Sequence, residues 1–225
     1  MGRTHVACGV MASLMLLTPE SVSGCLCAVA GGALGGWLPD IDVRDTGRAH
    51  DAYSGAVTCL FVTLVALVTD VWWGSVAKSH LHEIGIDVLD TYQTGSALAW
   101  AMQHLGADCI LGLACFILLC IAGSLTRHRT FTHSLAMLVA LTLCTSLFLR
   151  PVTFAFAIGY ASHILLDLLN HRGVCVLWPI GKGYSVGLVR ARGICDRFLL
   201  IAGTAISVSI VVWRLFGILG AVFVM

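Results

Sequence analysis

Charged side chains are scarce in this chain of 225 residues: 12 acidic and 13 basic residues make up 11% of it. That is about half the share of a soluble globular domain and excludes an ordinary water-facing surface. Proline is rarer still, at 4, and Pro19 and Pro39 stand where apolar runs stop. Ten cysteines are present, but paired spacing is not. Cys8, Cys59, Cys109, Cys115, Cys120 and Cys144 lie within or at the edges of apolar runs, and Cys25-x-Cys27 is the only close pair. A disulfide framework is therefore excluded, and the cysteines read as small hydrophobes. The absence of repeats and low-complexity segments leaves one domain, residues 1–225. No helix-turn-helix pattern is visible and the basic residues are dispersed, so a nucleic-acid partner is not expected.

What the chain has instead is apolar residues, 58% of the total. They fall into candidate spans near 5–17, 22–38, 54–73, 106–125, 133–149, 152–170 and 198–222, which predicts an all-α, polytopic membrane bundle of about 6–7 transmembrane helices. The first two runs are short and are separated by Thr18-Pro-Glu20, so they are also compatible with a tight helical hairpin that does not fully span. Arg3, the run from Val6 to Leu17 and Val22-Ser-Gly-Cys25 resemble a lipoprotein signal, but the glycine-rich apolar residues after Cys25 are no polar tether. With a cytoplasmic N-terminus and seven crossings, Arg3, Arg44, Arg48, Arg127, Arg129, Arg172, Lys182, Arg190, Arg192 and Arg197 lie inside. Lys78 and Arg150 lie outside and Arg214 lies within the last span, a bias of ten to two in the sense of the positive-inside rule. The same topology makes the outer loop, near 74–105, a short amphipathic surface element. Gly31 with Gly35, and Gly32 with Gly36, make overlapping small-xxx-small pairs suited to close helix packing.

This topology gathers ionisable residues at the cytoplasmic face. Asp40 and Asp42 leave the second span in L38-P-D-I-D42; His128 and His133 lie in R127-H-R-T-F-T-H-S134. His163 and Asp167 lie in S162-H-I-L-L-D167, His5 lies at the inner end of the first span, and Asp196 precedes the last. Acids at a helix C-terminus face the negative end of the macrodipole, so Asp40 and Asp42 are misplaced as caps. Pro39 disfavours α geometry at Leu38 and predicts an extended exit, with both carboxylates on one side and repelling unless a cation lies between them. His163 and Asp167, at i and i+4, share a helix face and should have partners or a purpose inside a span. His128 and His133 are about 140° apart on a continuous helix, so they suit a loop-to-helix junction, with Thr130 or Thr132 capping the fifth span. Solvated acids and a structural His-Asp hydrogen bond are the ordinary alternatives. Imidazole and carboxylate together suit zinc and related metals at hydrolytic sites. His50, His80, His82 and His104 read as surface histidines, and His171 is near enough to the cluster to be a secondary candidate.

The motifs LPDID, HRxxTHS, SHxxxD and Gly173-Val-Cys-Val-Leu-Trp-Pro179 resemble the YdjM-like family of inner-membrane, metal-dependent hydrolases, which is associated with LexA regulation in some bacteria. The resemblance runs from His5 to about Phe198, with Asn170 where the family often has Thr and Asp196 where it often has Glu. Through that family the chain is distantly similar to zinc-dependent phospholipase C and P1 nuclease. The resemblance implies a phosphoester substrate and Zn2+ in a di- or trinuclear site, with Mn2+ or Fe2+ as substitutes. It implies Asp40, His128, His133, His163 and Asp167 as metal ligands, and His5, Asp42 and Asp196 as ligands or their hydrogen-bonding partners.

The expected activity is hydrolysis of a phosphoester in a membrane lipid of the cytoplasmic leaflet by metal-activated water, with Asp42 and His133 in catalytic roles and no Ser or Cys nucleophile. Arg127, Arg129 and Arg172 are candidates for binding the anionic head group, although the positive-inside rule explains them equally well. Two other readings stand beside it. One is a non-catalytic cation- or proton-coupled transporter, which would favour carboxylates near the midplane. The other is a haem-binding electron carrier, which leaves the aspartates unexplained.

Overall fold

The computed structural model describes residues 1–43, 53–66, 68–69 and 105–224. His50, His80, His82, His104 and the outer-loop surface element lie outside the described residues. The apolar runs form α1 (Gly2–Leu17), α2 (Val22–Trp37), α3 (Tyr53–Ala66), α4 (Ala107–Ser124), α5 (Leu135–Phe148), α6 (Thr153–Leu169) and α7 (Ile194–Val224). Among the described residues there are no strands, only isolated bridges pairing Asn170 with Val189 and Val174 with Tyr184.

Among the described residues, four stretches are long and apolar enough to cross a membrane: Val22–Asp42, Ala107–Ser124, Arg150–Leu169 and Ile194–Arg214. The 16 residues of α1 and the 14 of α5 make rods of about 24 and 21 Å, shorter than the ~30 Å hydrocarbon core. Buried residues make up 72% of the α2 span but 17% each of the α4 and α7 spans. The middle of the bundle is therefore α2, and the outer helices turn leucine and isoleucine outward: Ile110, Leu118, Ile201 and Trp213 are all exposed.

Glycine explains how α2 reaches the centre. A Cβ on Gly36 would lie 2.6 Å from the His5 carbonyl oxygen of α1, and one on Gly31 would lie 2.7 Å from the Val152 carbonyl oxygen. Gly32 faces Val10 and Ser13 of α1, whereas Gly35 faces Phe156 and Tyr160 of α6. The two overlapping glycine pairs thus serve two different neighbours. Ser13 seals the first contact by donating to the Ala28 carbonyl at 2.7 Å.

Two local expectations are corrected. Leu38–Asp42 is a turn of 3-10 helix instead of an extended exit, with Leu38 in the right-handed helical region at φ −57°. Pro39 sits in the first turn, where its missing N–H costs no bond, and its fixed φ suits the helix. Helix α5 is capped by Ser134, whose hydroxyl accepts the Met137 amide at 3.2 Å, and not by Thr130 or Thr132. His133 therefore lies in the 3-10 turn Phe131–His133 ahead of α5.

Candidate metal centre

The N-terminal ends of α1, α5 and α7 meet the C-terminal ends of α2, α4 and α6 at one end of the bundle, and the ionisable residues converge there. His133 and His163 are fully buried, Asp167 and His5 nearly so. His163 Nδ1 donates to the Gly36 carbonyl at 2.8 Å, so its Nε2 carries a lone pair. Thr132 donates its hydroxyl to Asp42 Oδ2 at 2.6 Å and accepts from His133 Nδ1 at 2.9 Å, so the Nε2 of His133 carries a lone pair as well.

These two Nε2 atoms face each other at 3.3 Å. Asp167 Oδ2 lies 3.3 Å from the Nε2 of His133 and 4.0 Å from that of His163, while Asp40 Oδ1 lies 3.8 and 3.6 Å from the same atoms. Asp167 Oδ2 is buried and has no hydrogen-bond partner. Four electron-pair donors at such separations could hold a cation among them, and a tetrahedral zinc shell at 2.0–2.1 Å has ligand edges of about 3.4 Å. Without a metal ion, a proton shared among them serves. Burial pulls the His133 pKa down, but the close carboxylate of Asp167 and the charges of Asp42 and Asp40 outweigh it, and the net direction is up.

Among the described residues, two adjoining groups have ligand atoms within 4.8 Å of one another: His5, His163 and Asp167, and Asp40, His128 and His133. His5 stacks on His163 with ring centroids 3.9 Å apart and brings its Nε2 to 3.5 Å from Asp167 Oδ1. Its Nδ1 is buried without a partner. The close approach of α1 at Gly36 is what delivers His5 to this position.

Asp42 has both oxygens occupied within the protein, by His128 Nδ1 at 2.7 Å and by Thr132. It orients His128 directly and His133 through Thr132, the arrangement by which carboxylates fix the rings of metal-binding histidines. Tyr160, buried in the core, donates to the Thr132 carbonyl and pins the turn. Arg129, in the left-handed region at φ 67°, donates to Asp167 Oδ1 at 2.8 Å and to the Arg172 carbonyl at 2.7 Å. One terminal nitrogen thus positions Asp167, and the other ties Arg129 to the backbone at Arg172. The side chains of Arg127 and Arg172 are exposed.

Asp196 occupies a separate place. It accepts from Thr4 at 2.6 Å and from the Arg192 amide at 2.9 Å, tying α1 to the start of α7. It belongs to neither group of clustered ligand atoms among the described residues. His171 is exposed. Sequence reasoning missed the Thr132 hydroxyl and Tyr160, although Thr132 stands inside the HRxxTHS motif.

Apolar helices packed at glycine, with a buried His/Asp cluster at one end, define a helical membrane protein with the residues to hold a metal ion. A model of the YdjM inner membrane protein family matches residues 1–225, and the chain belongs to that family. It is also similar to the uncharacterized protein YvsG of Bacillus subtilis (strain 168), at 29% identity over 98 residues. That match covers 43% of this chain and 61% of YvsG, less than two thirds of the relative's length. No solved structure matches the chain.

Proposed function

We propose that this protein is a multi-pass, metal-dependent hydrolase that cleaves a phosphoester bond of a lipid or lipid-linked substrate at the cytoplasmic face of the membrane. One observation carries the reading: the Nε2 atoms of His133 and His163 face each other at 3.3 Å with carboxylate oxygens of Asp40 and Asp167 beside them. Asp40, His133, His163 and Asp167 would hold the metal, and His5 and His128 would be available to a second ion. The mixed imidazole and carboxylate set suits zinc, with manganese or iron(II) as substitutes. When bound, such an ion supplies Lewis acidity that activates water near neutral pH and polarises a phosphoryl oxygen.

The chain's own residues do the rest. Asp42 and Thr132 hold the imidazoles in the tautomer that turns Nε2 inward. Arg129 holds Asp167 in place through its hydrogen bond to Oδ1. Arg127 and Arg172, exposed at the rim, match the oxygens of an anionic head group. The ten-to-two distribution of cations supports seven crossings with the site facing the cytoplasm.

The test is hydrolysis by the zinc-loaded protein in proteoliposomes, with phosphatidylglycerol, phosphatidic acid and a lipid-linked phosphomonoester as substrates. The proposal expects release of phosphate or of a phosphorylated head group that disappears in His163→Ala. Metal accumulation inside the vesicles without hydrolysis would assign the cluster to cation-coupled transport instead.

A further inference from the structure

Residues 171–193, between α6 and α7, lie outside every candidate membrane span, yet they expose apolar side chains as freely as the lipid-facing helices do. Ile180 is 80% exposed, Leu188 70% and Val186 62%, and Leu177, Trp178 and Tyr184 are exposed beside them. The same 23 positions carry Arg172, Lys182, Arg190 and Arg192 and no acidic residue. The arginine and lysine side chains at 172, 182 and 190 are exposed. Apolar residues rimmed by one sign of charge mark an interaction surface, and tryptophan and tyrosine favour the membrane–water boundary.

The backbone fixes where this surface sits. The segment begins where the span Arg150–Leu169 ends and finishes where the span Ile194–Arg214 begins, so it lies at the membrane boundary on the face that bears the His/Asp cluster. It is bonded to both sides of that cluster: the Cys175 amide donates to the Arg129 carbonyl at 3.0 Å, and the Leu135 amide to the Val176 carbonyl at 2.9 Å. On the α6 side, the amides of Val186 and Val189 each donate at 2.8 Å, to the carbonyls of Leu168 and Leu169. Trp178 meets Phe131 edge-on with ring centroids 4.8 Å apart, two residues from His133.

We infer that residues 171–193 form an interfacial element that inserts Trp178, Ile180 and their apolar neighbours among lipid head groups and selects anionic phospholipid through Arg172, Lys182 and Arg190. Anionic lipid is the occupant because the segment is all cation and no acid, which complements a negative lipid surface. The element presents lipid phosphate at the rim of the cluster. It requires only that the chain lies in a membrane, and it holds whether or not the cluster hydrolyses anything.

The test uses the metal-free, full-length protein, so its outcome is separate from that of the hydrolysis assay. The protein is placed in nanodiscs of phosphatidylcholine, with and without phosphatidylglycerol, whose acyl chains are brominated near the carbonyl end. Emission from Trp178 is taken as wild type minus Trp178→Phe, a variant that keeps the ring against Phe131. The expected result is quenching by the bromolipid, stronger with phosphatidylglycerol, and protection from aqueous acrylamide. A second measurement needs no tryptophan variant. Native mass spectrometry of retained lipid should show the preference for phosphatidylglycerol over phosphatidylcholine falling by about fivefold for each of Arg172→Gln, Lys182→Gln and Arg190→Gln. Quenching by acrylamide and not by bromolipid would overturn the inference. So would protection from both, which would mean that protein covers the segment, and so would an unchanged lipid preference in the three glutamine variants.

Discussion

The Nε2 atoms of His133 and His163 stand 3.3 Å apart, each with its Nδ1 proton committed elsewhere, to Thr132 and to the Gly36 carbonyl. Neither ring can turn its proton inward without abandoning a buried bond. The protein thus holds two lone pairs head to head between fully buried rings, and a cation between them would resolve the conflict.

The Thr132 hydroxyl sets one of those tautomers. Thr132→Val keeps the shape but removes the link between Asp42 and His133, and metal affinity should fall by about 10–100-fold, as for other partners of metal-binding histidines. Competition against a chromophoric chelator measures it. An unchanged affinity would mean that His133 needs no such support.

Metal affinity should rise with pH. A metal ligand must be deprotonated, and in the metal-free protein the carboxylates around His133 hold its pKa above the ordinary value. Below that raised pKa, binding expels a proton from the cluster; above it, no such proton remains to expel. Affinity therefore climbs as pH rises through the His133 pKa and then levels off. Calorimetry of metal binding in two buffers of different ionisation enthalpy counts the released proton, and equal apparent enthalpies in the acidic range would contradict the account.

Gly36→Ala should be costly for a reason unrelated to helix propensity. The new methyl would lie 2.6 Å from the His5 carbonyl oxygen, whereas at Gly203 the nearest atom would be 3.3 Å away. Forcing α1 off α2 costs about 1–3 kcal/mol by the usual penalty for overpacking. Thermal unfolding in detergent should show a clear loss for Gly36→Ala and a smaller one for Gly203→Ala, and equal losses would refute the close-approach argument.

Asp196→Asn separates structure from ligation. The carboxylate is buried and accepts from Thr4 and the Arg192 amide, so the variant should lose about 1–3 kcal/mol of stability, the cost of a compromised buried bond, while binding metal at the wild-type stoichiometry. A fall in stoichiometry would place Asp196 among the ligands.

Much of this arrangement was legible from spacing. The i, i+4 pair of His163 and Asp167 had to share a helix face, and the glycine pairs had to lie at helix contacts. His128 and His133 were too far apart around a helix to belong to one. The exit from α2 differs from the extended one that the restriction of Leu38 by Pro39 predicts, because the fixed φ of Pro39 also suits the first turn of a 3-10 helix. That difference matters, since the 3-10 turn sends Asp40 toward the Nε2 atoms and Asp42 toward His128. The roles of Thr132, Tyr160 and Arg129 were not legible, because each depends on contacts between segments far apart in the chain. Asp42 and Thr132 are separated by 90 positions, and Arg129 and Asp167 by 38. No local pattern specifies which hydroxyl meets which carboxylate.

The most direct measurement is the metal content of the detergent-purified protein by plasma mass spectrometry, for wild type, Asp40→Ala and His163→Ala. These residues come from different elements, the turn after α2 and the body of α6, and meet only at the cluster. The account predicts zinc, manganese or iron at one or more per chain in wild type and a marked loss in both variants. A wild-type protein that carries no transition metal and binds none on reconstitution would contradict it.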